Sequence, residues 1–289
     1  MRPLTASPVA PALVASLVLL AAVMHATWNA LIKGSRDKAG TQAVLMFAGV
    51  LMAAAAIPFV PAPARESWPL LAISIVVHTI YRVVLLWAYK AGDLSKVYPL
   101  ARGFAPLLVA LAATALAGEF LNPWETAGVL LVSAGIASLA FEKRIGSQPS
   151  RRPVVLALLT GLCVSAYSLI DGLGGRLAGS AIGYAAWLFV FEGLPFALGT
   201  AFLRRRRLPE LVRSSWKRGL IGGVISTGGY TIVIWAMSVG AMAQTIALRE
   251  TSVIVAALIG VRLMKEGSGG RRIAAAAIVV VGNLLLQVF

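Results

Sequence analysis

Two arginines stand where hydrocarbon is expected. Arg102 lies inside VYPLARGFAPLLVALAATALAGE (97–119) and Arg249 inside WAMSVGAMAQTIALRETSVIVAALIG (235–260). An ionisable residue in mid-membrane costs about 2.5–3.5 kcal/mol on insertion scales, so it faces a cavity or a partner. A guanidinium is planar, always charged and two-pronged, a shape that suits carboxylate or phosphate. Other polar side chains recur in the same kind of setting. His78, Tyr81 and Arg82 fall at i, i+3 and i+4, on one helical face, and Tyr98 stands four residues before Arg102. Thr245, Arg249 and Ser252 share a face, with Glu250 turned about 100° away. Trp28, Asn29, Tyr167, Tyr230 and Trp235 could add apolar faces, an amide and hydroxyls. A free amino acid would fit such a lining, its carboxylate toward an arginine and its ammonium toward a tyrosine face or a glutamate. The expected substrate-binding set is therefore Arg102, Arg249, His78, Tyr81, Arg82, Tyr98, Trp28, Asn29, Tyr167, Tyr230 and Trp235. Glu192 and Glu250 are read as the mid-span acids that could carry a proton or form an ion pair.

Each residue also has a plainer reading. Arg82 could simply pair with Glu192. Arg102 and Arg249 could each bind a carboxylate of their own chain, with Glu250 nearest. His25 could hydrogen-bond a neighbouring helix. Trp87 suits an interfacial aromatic belt. Glu119, Glu266 and Asp171 are read as lying at span ends, where they would cap or anchor.

No GxxxxGK[ST], HExxH, GxSxG or Cys/His cluster is present, so no cofactor or metal is expected and no catalytic residue is assigned. Without a nucleotide site, ATP is not expected as an energy source. The single cysteine, Cys163, excludes a disulfide within the chain.

The elements that must hold these residues follow from composition. Of 289 residues, 59% are hydrophobic and 13% charged, and the mean hydropathy is +0.85. Soluble domains carry about 25% charged residues. About 20 apolar residues cross a bilayer core as a helix. Ten such stretches can be marked, at 9–32, 41–60, 68–91, 95–117, 124–141, 153–173, 182–203, 216–239, 242–264 and 271–288. The net charge of +15 would raise nucleic acid as a partner in a soluble protein. Here it reads as topology: 20 Lys and Arg fall in or beside the loops after spans 1, 3, 5, 7 and 9, and three fall in the others and the termini. By the positive-inside rule the crowded loops are cytoplasmic and both termini lie outside.

The chain is also written twice. Trp87 and Gly92 match Trp235 and Gly240, Arg102 and Glu119 match Arg249 and Glu266, and Gly135 matches Gly282, all at an offset of 147–148 residues. Each copy holds five spans, an odd number, so the second copy enters the membrane inverted. The predicted fold is an all-α membrane protein of ten transmembrane helices, two inverted five-helix repeats around a central cavity. The repeats run over 1–146 and 152–289. Such architecture belongs to transporters, with the substrate near the midplane.

The pattern resembles the drug/metabolite transporter superfamily, EamA type. The residues that carry the resemblance are WNALIKG (28–34), the short glycine turn at Gly92, Pro106-Leu107-Leu108, and Glu119 followed by Gly128 and Gly135, with Gly240, Glu266 and Gly282 in the second copy. Within the superfamily the chain resembles the bacterial amino-acid exporters of the YddG kind. That resemblance implies a secondary transporter of the bacterial inner membrane that exports small polar metabolites, amino acids first, aromatic or hydrophobic ones included, as a monomer or homodimer. A carrier of phosphorylated metabolites or a multidrug exporter is the alternative, with a membrane-embedded enzyme or scaffold behind it.

Overall fold

The computed structural model describes residues 10–35, 37–91, 94–139, 151–264 and 270–288. Among them there is no strand. The helices are α1 (Pro11–Lys33), α2 (Lys38–Ala56), α3 (Trp68–Ala91), α4 (Leu94–Ala117), α5 (Pro123–Ser138), α6 (Arg151–Leu177), α7 (Ala181–Leu203), α8 (Leu208–Val239), α9 (Met242–Arg249), α10 (Ser252–Met264) and α11 (Gly270–Val288). Short 3-10 turns at 57–59, 65–67 and 205–207 join some of them. Among the described residues, six helical segments are long and apolar enough to cross a membrane, in α1, α2, α3, α6, α7 and α8, while α4 and α11 hold shorter apolar stretches, Ala101–Ala117 and Ile273–Leu286. Large apolar side chains such as Leu20, Leu51, Val76, Leu111 and Leu162 point outward, as a lipid-facing surface requires.

Local chemistry sets the helix starts. Asp37 caps α2, accepting from Gly40 N–H at 2.9 Å. Asn122 and Glu125 form a capping box at α5, with Pro123 at its first position. Ser180 accepts from Gly183 N–H at 3.0 Å to open α7.

Two sequence expectations are corrected. The ninth span is not one helix: it breaks between α9 and α10 at Glu250–Thr251. The Glu250 N–H is shared between the Ile246 and Ala247 carbonyls, and the Thr251 N–H turns back to Leu248 O at 3.2 Å. The Thr251 hydroxyl takes the same carbonyl at 2.8 Å, so the backbone ladder tightens and stops without proline or glycine. Asp171 is not terminal either. Helix α6 continues to Leu177 through the sequence GLGG, leaving Asp171 inside it with 0% exposure.

Close packing puts the helices in register. Helix α5 packs on α11, α2 on α7 and α8, α1 on α8, and α6 on both α3 and α4. The α5–α11 seam is backbone against backbone: a Cβ on Gly128 would stand 2.7 Å from Gly282 O, and one on Gly282 2.8 Å from Gly128 O. Small residues allow such approach between helices in lipid.

At one end of the bundle the connections are stitched together. Gly118, with φ 66°, turns the chain after α4 and presents Glu119. Glu119 takes a salt bridge from Arg176 of α6 and accepts from Met242 N–H, at the start of α9, at 2.8 Å. Arg176 also donates to the Met237 carbonyl at 2.9 Å and the Gly240 carbonyl at 2.7 Å. Ala64 N–H bonds Ala178 O at 3.0 Å on the same end. Glu119 thus acts as the expected cap and anchor. Glu266, which the sequence aligns with Glu119, the Gly92-Asp93 turn and the linker from 142 to 150 lie outside the described residues.

Candidate functional site

A cavity of about 130 Å³ opens between α1, α2, α3, α6, α7, α8 and α9. Helix α3 contributes His78, Tyr81 and Arg82, the helical face expected from their spacing, and α6 contributes Tyr167. Helix α7 adds Phe189 and Glu192, α8 adds Tyr230, α1 adds Trp28, and α9 adds Arg249. Cavities of this size hold several waters, since each needs about 10–15 Å³ on such a measure.

Aromatic rings form a continuous wall. His78 stacks on Tyr167 with ring centroids 4.1 Å apart, Tyr81 meets Tyr167 edge-on at 5.5 Å, and Tyr230 meets both His78 and Tyr167 at 6.1 Å. Edge-to-face pairs of this kind fix ring positions as well as burying area.

The charged residues divide into two groups. Arg82 and Glu192 form a salt bridge across the cavity between α3 and α7, the ion pair that their positions allowed. Phe196 lies under the Arg82 guanidinium at 5.6 Å. The second group is deeper. Arg102 Nε stands 2.8 Å from Glu250 Oε2, and Arg249 Nε stands 4.0 Å from Glu250 Oε1. Arg102 is 4% exposed, Arg249 2% and Glu250 0%. Arg102 and Arg249 therefore converge on one internal carboxylate, which sits at the break between α9 and α10.

Arg102 and Arg249 differ in what remains for a ligand. Arg102 is turned to Glu250 and is not part of the cavity wall. Arg249 is part of it, with its guanidinium 5.5 Å from the Tyr230 ring centroid. Among the described residues no hydrogen-bond acceptor reaches its Nε or Nη1. A buried cation with open N–H groups on a cavity wall is a place for an anion.

Two further expected residues, besides Arg102, stand apart from the cavity. Asn29 donates to the His25 carbonyl within α1 at 2.8 Å, and Trp235 packs into the apolar core. The side chain of Tyr98 lies outside the described residues. His25, singled out in the sequence as a residue that could bond a neighbouring helix, lines the cavity and meets Trp28 edge-on at 5.1 Å, whereas sequence reasoning passed over Gln42, Ser226 and Thr227. The last three are uncharged polar residues in apolar runs, a signal too common to single out.

The fold and this cavity define a helical, integral membrane protein built around a polar interior site. Residues 151–288 match the EamA-like transporter family. The match lies wholly in the second half of the chain, from the start of α6 to the end of α11. A solved crystal structure is similar to this chain over 96% of both chains, with a TM-score of 0.74 at 20% identity, which shows a shared fold. No curated protein matches.

Proposed function

We propose that this protein is a secondary transporter that exports small metabolites bearing a carboxylate, amino acids first, by alternating access between two inverted five-helix repeats, 1–146 and 152–289. The observation that carries the substrate class is Arg249, buried on the cavity wall with open N–H groups. The substrate carboxylate sits on this guanidinium. The rings of Tyr81, Tyr167, Tyr230 and Trp28, with His78, receive the rest of the molecule, and Arg82 and Glu192 close the cavity across α3 and α7. Arg102 acts through Glu250, which it holds in place.

The repeat reading draws support from packing. Under inversion α1 exchanges with α6 and α3 with α8, and both resulting pairs, α1–α8 and α6–α3, are in contact. Helices α5 and α11 exchange with each other and also touch. The family match, over 151–288, begins and ends within a residue of the second copy. The loop charges favour cytoplasmic placement of the α1–α2 and α7–α8 connections in an inner membrane.

Cavity volume and charge favour an amino acid over the alternatives. Drug-sized ligands occupy pockets of about 300–1,000 Å³. Glu250 already neutralises one of two arginines, leaving one open positive charge, which suits a carboxylate better than a doubly charged phosphate. The acid on the wall, Glu192, is held by Arg82, which disfavours a cationic drug.

The test loads a panel of radiolabelled amino acids into proteoliposomes and measures efflux with and without a pH gradient. Sugar phosphates and lipophilic cations serve as competitors. Arg249→Ala should remain folded and lose flux. Normal flux in that variant, or competition by the phosphates or cations alone, overturns the reading.

A further inference from the structure

Asp171 is the buried acid that the proposed transport site leaves unused. Its Oδ1 accepts from Ser74 Oγ at 2.5 Å and from Tyr184 OH at 3.2 Å. Its Oδ2 accepts from Tyr230 OH at 2.7 Å and faces His78 Nε2 at 3.9 Å. The carboxyl thus joins α3, α7 and α8 to α6. It does not reach the cavity, but His78 and Tyr230 do.

The position of the imidazole hydrogen follows from its neighbours. His78 Nδ1 lies 3.1 Å from the Ser74 carbonyl, an oxygen that only accepts. The Ser74 hydroxyl has its hydrogen on Asp171. Nδ1 therefore carries the ring hydrogen, and in the neutral ring Nε2 presents a lone pair toward a carboxylate oxygen. Two acceptors face each other across 3.9 Å. One proton on Nε2 converts that opposition into an imidazolium–carboxylate pair.

The surrounding charges are accounted for element by element. Helix α3 brings His78 and, one turn on, Arg82; α7 brings Tyr184 and Glu192, the latter bound to Arg82. Helix α8 brings Tyr230, whose ring also receives Arg249 of α9. Glu250, after α9, holds Arg102 of α4. On α6 itself, Tyr167 stacks on His78, and Arg176 is taken by Glu119. His78 is thus the one imidazole on the cavity wall that faces an acid lacking an arginine partner among the described residues.

We propose that His78 and Asp171 form a one-proton site that competes with the ammonium group of the substrate, so that this transporter exchanges protons for amino acids. The inference rests on the proposed function, since it needs a substrate whose carboxylate lies on Arg249. His78 and Arg249 both flank the Tyr230 ring, with centroid distances of 6.1 Å and 5.5 Å. A zwitterion held by its carboxylate on Arg249 places its ammonium on the aromatic wall that His78 shares. When Nε2 is protonated, the imidazolium repels that ammonium. When the proton leaves to water in the cavity, the dyad carries one net negative charge and attracts it. Proton and amino acid then exclude one another, and linkage makes the exclusion mutual. A carboxylate without an amine meets no such conflict.

The experiment uses the whole purified protein in weak buffer with a pH indicator. L-phenylalanine and 3-phenylpropionate, its analogue without the amine, are the probes, and their binding is measured in parallel. The wild type should release about one proton per bound L-phenylalanine and none per bound 3-phenylpropionate. In proteoliposomes, Asp171→Asn should lose the acceleration of L-phenylalanine efflux by a pH gradient, and Asp171→Glu should restore it. Equal proton release with both probes, binding of L-phenylalanine without release, or release that persists in Asp171→Asn overturns the dyad and leaves the proposed function standing. Failure of every amino acid in the panel to bind overturns both. If Asp171→Asn does not fold, the comparison of the two probes on the wild type decides alone.

Discussion

Arg102 and Glu250 form a salt bridge with Nε and Oε2 2.8 Å apart, and both side chains are almost wholly buried. The carboxylate also faces Arg249, so three charges share one buried site with a net charge of +1. Removing the single anion leaves two cations facing each other. Removing Arg102 leaves a balanced pair. Breaking a buried pair costs about 3–5 kcal/mol when an unpaired charge remains. Glu250→Gln should therefore lower the melting temperature well below that of Arg102→Ala in the same detergent. Equal melting temperatures would show that Glu250 does not hold the two arginines.

Arg249→Lys keeps the charge and loses the fork. The planar guanidinium lies against the Tyr230 ring, with Nε and Nη1 buried and without a hydrogen-bond acceptor among the described residues, an arrangement that a flexible ammonium does not reproduce. The variant should fold and bind the substrate carboxylate at least about 10-fold more weakly, since a bidentate charge-assisted contact exceeds a single one by about 1.4 kcal/mol or more. Equilibrium binding of the radiolabelled amino acid identified in the flux panel provides the measurement. Undiminished affinity would move the anion site elsewhere.

The glycine seam between α5 and α11 makes a purely steric prediction. A methyl group on Gly128 or Gly282 meets the opposite backbone, which cannot swing aside as a side chain can. Overpacking of this kind costs about 1–3 kcal/mol. Gly128→Ala and Gly282→Ala should each lower the melting temperature. Gly199→Ala, where a Cβ meets nothing within 4 Å, serves as the neutral control. No difference among the three would mean that the two helices stand further apart.

Much of this architecture could be read before any coordinates. The apolar runs mark where the helices lie because length and hydropathy are local properties. Arg82 with Glu192, and both arginines with Glu250, were foreseeable because charges in hydrocarbon must find partners. The break after Arg249 was not, since it rests on Thr251 diverting one carbonyl and no proline or glycine announces it. Asp171 was misjudged because the glycines that follow it suggest a loop, whereas helix packing keeps them helical. Gln42, Ser226 and Thr227 were missed because an uncharged polar side chain in a span costs too little to demand a cavity.

The two loop ends of the bundle invite a paired test. Glu119 is buried and bonded to Arg176 and to the Met242 N–H. Asp37 pairs with Arg204 at 2.6 Å, but both side chains are 40% exposed. Glu119→Gln should cost about 3 kcal/mol or more, because Arg176 loses its counter-charge in a dry setting. Asp37→Asn keeps its cap on α2 and loses an exposed pair worth about 0.2–1 kcal/mol. Thermal unfolding that ranks the two variants the other way would contradict this assignment.

That inequality bears on how the molecule works. The knot around Glu119 ties α4, α6 and α9 so firmly that it behaves as the spring of a clothes-peg, while the far jaws, joined by Arg204 and Asp37 in contact with water, part at little cost. Under the proposed alternating access, opening begins at the α1–α2 and α7–α8 mouth, and opening on the opposite side requires that the knot first be undone.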